Sequence, residues 1–224
     1  MNGHFATRML DGEGQWLSQT DGINVSADIS PTAGQMPRLL GLAFASKVYK
    51  ENKSLHQHAK FSNKGAEIAW GTIGNASTSE GHFWESINAA GVLQVPLLMS
   101  IWDDEYGISV HAKHQTTKQN LSALLSGFQT DKLGKGIELF TVNGWDYPAL
   151  VNTYKQAAEI CRKKHTPVVV HVKEMTQPQG HSTSGSHERY KAKERLAWEV
   201  EFDGISKMRE WMLENEISTE EELS

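Results

Sequence analysis

Pro167-Val168-Val169-Val170-His171-Val172 is a β-branched run that does not alternate. A strand with one wet face would alternate; a run of this kind suits a parallel strand covered on both faces. Just before it, Tyr147 to Lys164 puts Leu150, Val151, Tyr154, Ala157, Ala158 and Cys161 on one side of a helix. Arg162, Lys163 and Lys164 close that helix, where cations complement its dipole. Further toward the N-terminus the pattern predicts a strand at Ile137 to Val142, a short helix at Leu121 to Phe128 and a buried strand from Pro96 to Ile101. A helix opened by Thr78 and Gly81 runs to Val92, a strand over 66–73 ends at Gly74, and an apolar face from Leu39 to Tyr49 marks a helix at about 34–51. Alternating helices and strands imply right-handed crossovers and an α/β fold, a doubly wound, mostly parallel sheet with helices on both faces. Ligands of such sheets sit at the carboxyl ends of the strands. Residues 1–29 read as loop or weak strand, 174–195 as a long polar Gly/Ser/His-rich loop of the length that is usually functional, and Phe202 to Leu213 as an amphipathic helix.

Composition narrows the function. With 224 residues, 38% hydrophobic and 22% charged, the chain has the length of one to two domains and can bury a core of its own; the order of its elements fits a single domain over 1–224. Lys plus Arg is 22 against 27 for Asp plus Glu, a net charge of -5, which is no footprint for nucleic acid or an anionic membrane. The longest apolar stretch is broken by Gln94 and Pro96, short of the ~18 to 20 residues of a membrane span. The lone Cys161 and an N-terminus without basic and apolar signal regions lead to the expectation of a reducing, cytoplasmic setting.

Two segments could carry chemistry. Gly74-Asn75-Ala76-Ser77-Thr78-Ser79-Glu80-Gly81 is a small-residue turn from strand to helix, where a phosphate can approach backbone N–H groups; alone it is equally an ordinary turn. Trp102-Asp103-Asp104-Glu105-Tyr106-Gly107-Ile108-Ser109 puts three acids at a strand end, which repel unless a cation, a hydrogen bond or water offsets them. Asn75 and Asp104 fall at the ends of two successive parallel strands, which would bring both oxygens to one Mg²⁺ or Ca²⁺. A solvated acidic loop is the plainer alternative.

Together these segments resemble the thiamine diphosphate motif of the 2-oxo acid dehydrogenase E1 component, α subunit. There the pattern runs Gly-Asp-Gly-Ala-Thr-Ser-Glu-Gly and later Asn-Asn-Gly-Tyr-Ala-Ile-Ser. Three further stretches agree in family order: Ser30-Pro31-Thr32-Ala33-Gly34-Gln35-Met36-Pro37, Asn88-Ala89-Ala90 and Gly180-His181-Ser182-Thr183-Ser184. The last is slightly closer to the branched-chain class.

The resemblance implies thiamine diphosphate and Mg²⁺, with Asn75 and Asp104 as side-chain metal ligands and Tyr106 as the carbonyl ligand. The family's Asp-then-Asn order is exchanged here, keeping ligand number and charge. Gly74, Ala76 and Ser77 would lie against the diphosphate, and Ser30 and Thr32 at the aminopyrimidine end. Gly34 stands where family members often have Thr beside a monovalent cation. His181 matches the loop histidine over the cofactor, a donor to phosphate or to developing charge and the candidate catalytic residue in an active-site loop at 174–195. Trp102 and Gln177 stand where the family often has arginines. His4 sits near a family histidine. Implied partners are an E1 β subunit in an α2β2 assembly, which supplies the activating Glu, the lipoyl domain of E2, and a 2-oxo acid substrate. The family's α subunits extend beyond both ends of this chain, so a partial chain, inactive without its β partner, is expected. A transketolase-like enzyme would share the metal motif without the Gly-His-Ser-Thr-Ser loop, and a non-catalytic scaffold would keep the fold alone. The remaining histidines read blandly: His56 and His58 as surface, His111 and His114 as polar loop, His171 as a satisfied core or strand-end residue.

Overall fold

The computed structural model describes residues 6–27, 29, 31–181 and 187–223. After a largely irregular N-terminal stretch come helix α1 (Gln35–Glu51), strand β1 (Ala69–Gly74), helix α2 (Gly81–Leu93) and strand β2 (Leu97–Trp102). A small hairpin, β3 (Tyr106–Gly107) and β4 (Val110–His111), is followed by α3 (Leu121–Leu125), β5 (Glu138–Asn143), α4 (Tyr147–Lys164) and β6 (Val168–Lys173). Helices α5 (Lys193–Glu201) and α6 (Gly204–Glu214) close the chain.

Local chemistry sets the boundaries. Asp146 caps α4 by accepting the Ala149 N–H at 3.0 Å, Pro148 stands in the first turn, and His165 ends the helix in the left-handed region. Gln94 ends α2 in the same conformation, and its side chain donates to the Gly91 and Gly136 carbonyls. Helix α1 buries Met36, Leu39, Ala43 and Ser46, one stripe at helical spacing.

The four main strands pair in parallel in the order β1-β2-β6-β5. Steps from β1 to β2 and from β2 to β5 run in one direction across the sheet, and the step from β5 to β6 runs back. A right-handed crossover must change face when its direction reverses. Accordingly α1, α2 and α3 pack with Leu97, Met99, Ile101 and Val169 on one face, and α4 packs with Leu98, Val168, Val170 and Val172 on the other. The valine run is therefore covered twice, as its lack of alternation requires. Each fully buried aliphatic side chain in β2 and β6 contributes roughly 1.5–3 kcal/mol.

Two readings of the sequence change. The polar stretch after β2 contains the β3–β4 hairpin. The expected loop at 174–195 gives way to a 3-10 turn at His187–Arg189 and to α5, which starts at Lys193. The C-terminal helix expected at 202–213 forms as α6, with Phe202 just before it at the end of α5. Among the described residues no helix is long and apolar enough to cross a membrane.

Candidate functional site at the strand ends

The carboxyl ends of β1 and β2 lie side by side, since Gly74 pairs with Trp102. Asn75 follows β1 directly and donates its N–H to the Trp102 carbonyl at 3.0 Å. Asn75, Asp104 and Tyr106 are all buried, at 4%, 7% and 7% exposure. The Asn75 amide ends 3.2 Å from both Asp104 Oδ1 and the Tyr106 carbonyl oxygen. With its nitrogen turned inward the amide donates to both; with its oxygen turned inward, three oxygens face one another and call for a cation. Adjacent ligands of an octahedral Mg²⁺ at about 2.1 Å stand about 3.0 Å apart, so both 3.2 Å spacings fit two edges of that octahedron. The residues present fit the ion. No group of three or more His, Cys, Asp or Glu among the described residues is arranged to hold a metal, as expected for a set of one carboxylate, one amide and one carbonyl.

Ala76 and Ser77 open a 3-10 turn that leads into α2. Its backbone bonds run from Thr78 to the Asn75 carbonyl and from Glu80 to the Ser77 carbonyl, both 3.2 Å, and among the described residues the N–H groups of Ala76 and Ser77 have no backbone acceptor. Gly107 packs so closely here that a Cβ on it would lie 2.6 Å from that of Ala76. Gly74 is exposed at the end of β1.

The acidic run is offset by a separate partner for each member. Asp103 Oδ2 lies 2.8 Å from His171 Nε2 on β6, Asp104 Oδ2 lies 2.6 Å from His181 Nε2, and Glu105 accepts from Arg195 Nη1 of α5 at 2.6 Å. A hydroxyl chain continues from His171 Nδ1 to Ser122 Oγ at 2.6 Å and on to Thr141 Oγ1 at 3.0 Å, tying β6 to α3 and β5. His171 is thus a satisfied strand-end histidine. Hydrogen bonds and ion pairs, rather than a metal alone, let these acids coexist.

His181 also accepts the Ile108 N–H on Nδ1 at 2.9 Å, which places its proton on Nε2 facing Asp104. Ile108 has φ 56°, an outlying conformation for a β-branched residue, so the imidazole steadies both a strained turn and the carboxylate. Beside the hairpin a cavity of about 630 Å³ is lined by Tyr106, His111, His114, Tyr190 and Arg195. Burial, opposed by Arg195, holds the Tyr106 hydroxyl above its ordinary pKa.

The structure thus brings Asn75, Asp104, Tyr106 and His181 together, with Ala76 and Ser77 alongside. Thr32 lies exposed in the turn before α1 and takes no part in these hydrogen bonds. Ser30, His4 and Ser182 to Ser184 lie outside the described residues. Trp102 turns its indole N–H to Ser100 Oγ at 3.0 Å, and Gln177 donates to the Gly180 carbonyl at 3.2 Å. Sequence reasoning missed Arg195 and the pairing of His181 with Asp104. The only trace was an acidic run that needed partners.

A family model described as "Dehydrogenase E1 component" matches residues 8–224. The pyruvate dehydrogenase E1 component subunit alpha of Rickettsia typhi is 29% identical over 189 residues, covering 84% of this chain and 51% of that protein. The mitochondrial 2-oxoisovalerate dehydrogenase subunit alpha 1 of Arabidopsis thaliana is 25% identical over 197 residues, 87% of this chain and 37% of that protein. The 2-oxoisovalerate dehydrogenase subunit alpha of Bacillus subtilis is 24% identical over 193 residues, 86% of this chain and 52% of that protein. The chain spans about half the length, or less, of these curated relatives.

Proposed function

This chain belongs to the dehydrogenase E1 component family, and from that premise we propose that it binds thiamine diphosphate with Mg²⁺ as the α-type part of a 2-oxo acid dehydrogenase. The observation that carries the reading is the Asn75 amide 3.2 Å from both Asp104 Oδ1 and the Tyr106 carbonyl, a spacing that suits the ion when the amide oxygen is turned inward. Asn75 and Asp104 would hold the metal through their side chains and Tyr106 through its carbonyl. The N–H groups of Ala76 and Ser77 would meet the diphosphate, with Gly74 leaving the approach open. On the resemblance alone, Ser30 and Thr32 are assigned to the aminopyrimidine end.

Bound thiamine diphosphate supplies the electron sink for loss of carbon dioxide from a 2-oxo acid. The chain's own residues bind and orient. Asp104 would face the metal with Oδ1 while its Oδ2 meets His181, and the carboxylate fixes the imidazole with its proton on Nε2. As the candidate catalytic residue, His181 donates that proton as a hydrogen bond to phosphate or to developing charge only by leaving Asp104.

We assign the acid that activates the cofactor to an E1 β partner and the acyl acceptor to a lipoyl domain of E2. The relatives' names include both pyruvate and 2-oxoisovalerate, so the substrate class is a 2-oxo acid. The test is decarboxylation of 2-oxo acids with thiamine diphosphate and Mg²⁺, with and without the co-expressed β chain. Turnover only with the β chain supports the reading; turnover without it overturns the division of labour. A scaffold without catalysis is the second reading, and it rests on Trp102 and Gln177 at the positions of the family's arginines. No turnover in either state would favour it.

A further inference from the structure

The site as described leaves one buried ionic cluster without a task. Lys191 and Glu199 are each 1% exposed at the side chain and joined at 2.7 and 2.9 Å. Burying such a pair costs desolvation that their attraction only roughly repays, and leaving either one alone costs more. Hence what the pair holds matters. Glu199 also accepts from Arg195 Nε at 2.9 Å, one helical turn away, which fixes the direction of the guanidinium. From there Nη1 reaches the Glu105 carboxylate at 2.6 Å, and Nη2 reaches the carbonyls of Asp104 at 2.9 Å and Met175 at 3.3 Å. Lys191 and Arg195 lie 5.2 and 6.0 Å from the centre of the Tyr106 ring.

Every one of these anchors lands on the segment 104–106 or on what packs against it. Glu105 has φ 69°, a left-handed conformation that glycine adopts freely and glutamate does not. The N–H groups of Glu105 and Tyr106 bond to the carboxylates of Asp103 and Asp104, at 2.8 and 3.2 Å. This turn presents both the Asp104 side chain and the Tyr106 carbonyl to Asn75. Relaxed to an extended backbone, Glu105 would swing the Tyr106 carbonyl away from Asp104.

We infer that Arg195, oriented by Glu199 and Lys191, is a positioning residue that holds the strained Glu105 turn in the form that gathers the metal ligands. The inference rests on the reading of Asn75, Asp104 and Tyr106 as a metal site. Its test uses the full chain with Arg195→Met, Glu105→Gly and both together, and two readouts. One is hydrogen exchange over 103–112 without ligand. The other is Mn²⁺ affinity in the presence of thiamine diphosphate, from the electron paramagnetic resonance of free Mn²⁺.

Arg195→Met is expected to speed exchange over 103–112 while sparing β2 and β6, and to weaken Mn²⁺ binding about tenfold. In the Glu105→Gly background, where glycine needs no holding, the same substitution is expected to change the affinity less than about threefold. If Arg195→Met does not fold because Glu199 loses a partner, Arg195→Lys keeps the charge without the fork and carries the same expectations. Unchanged Mn²⁺ affinity, or effects that simply multiply in the double variant, would overturn the inference. No Mn²⁺ binding by the parent chain, with exchange still responding to Arg195→Met, would instead sink the metal reading on which it rests.

Discussion

The Nε2 proton of His181 points at Oδ2 of Asp104 across 2.6 Å, while Oδ1 of the same carboxylate faces Asn75. One carboxylate thus joins the candidate metal position to the candidate catalytic loop. A group that orients a metal ligand typically changes metal affinity 10–100-fold when removed. His181→Ala is therefore expected to weaken Mg²⁺-dependent thiamine diphosphate binding about tenfold, with only a modest fall in the thermal midpoint, since the side chain retains 27% exposure while Ile108 and Asp104 lose one partner each. Unaltered affinity by calorimetric titration would mean that the contact does not support the metal.

Gly65 packs its backbone directly against α1 in a left-handed conformation. At φ +78°, an added Cβ would meet the Ser46 carbonyl and lie 2.6 Å from the Lys50 nitrogen, so neither the dihedral nor the space admits a side chain. Gly65→Ala is expected to destabilise by about 2 kcal/mol or more, read as a lower urea midpoint. A midpoint equal to the parent's would contradict the packing of this turn on α1.

His165 makes stability depend on pH. Its Nε2 lies 3.0 Å from the Gly65 carbonyl; burial first, then Lys50, holds its pKa below the ordinary value, with the Gly65 bond opposing. Between the folded value and an unfolded value of about 6.5 the unfolded chain binds more protons, so stability rises with pH in that window. The contribution is complete above about pH 6.5 and is lost as pH falls through the folded value. His165→Asn, which tolerates the left-handed conformation but does not titrate, is expected to flatten the slope of urea midpoints between about pH 5 and 7. Parallel slopes would contradict it.

Cys161 is fully buried on α4, its Sγ 3.3 Å from the Leu97 carbonyl, and burial pushes its thiol up to about 12. The thiolate is the reactive form. The native chain is expected to be inert to a disulfide reagent at pH 8 and to release one equivalent on denaturation; rapid native labelling would contradict the burial.

The strands that were legible in the sequence are those whose environment is uniform. The run Val168 to Val172 and the core of β2 are buried throughout because both faces are covered, and α4 announces itself through its apolar side from Leu150 to Cys161 and its cationic end. Helix α5 was illegible because its buried side is Glu199, a residue that reads as surface until Lys191 and Arg195 are seen beside it. The β3–β4 hairpin turns through Ile108 and Ser109 without the Gly or Asn that marks such turns, and Ile108 is held at positive φ by His181. Within the site, the juxtaposition of Asn75 with Asp104 followed from adjacent parallel strands, and the place of Tyr106 beside them from the family resemblance. The partners of the acidic run did not, because His171, His181 and Arg195 come 68, 77 and 90 residues after the acids they meet.

Asn75, Asp104 and Tyr106 are proposed to hold a divalent ion that in turn holds a diphosphate. Calorimetric titration of thiamine diphosphate into the parent chain and into Asp104→Ala, each with and without Mg²⁺, tests it directly. The expected result is binding by the parent only with Mg²⁺, and a loss of at least about tenfold in Asp104→Ala. Binding that ignores Mg²⁺ and survives Asp104→Ala, or no binding in any state, would contradict it.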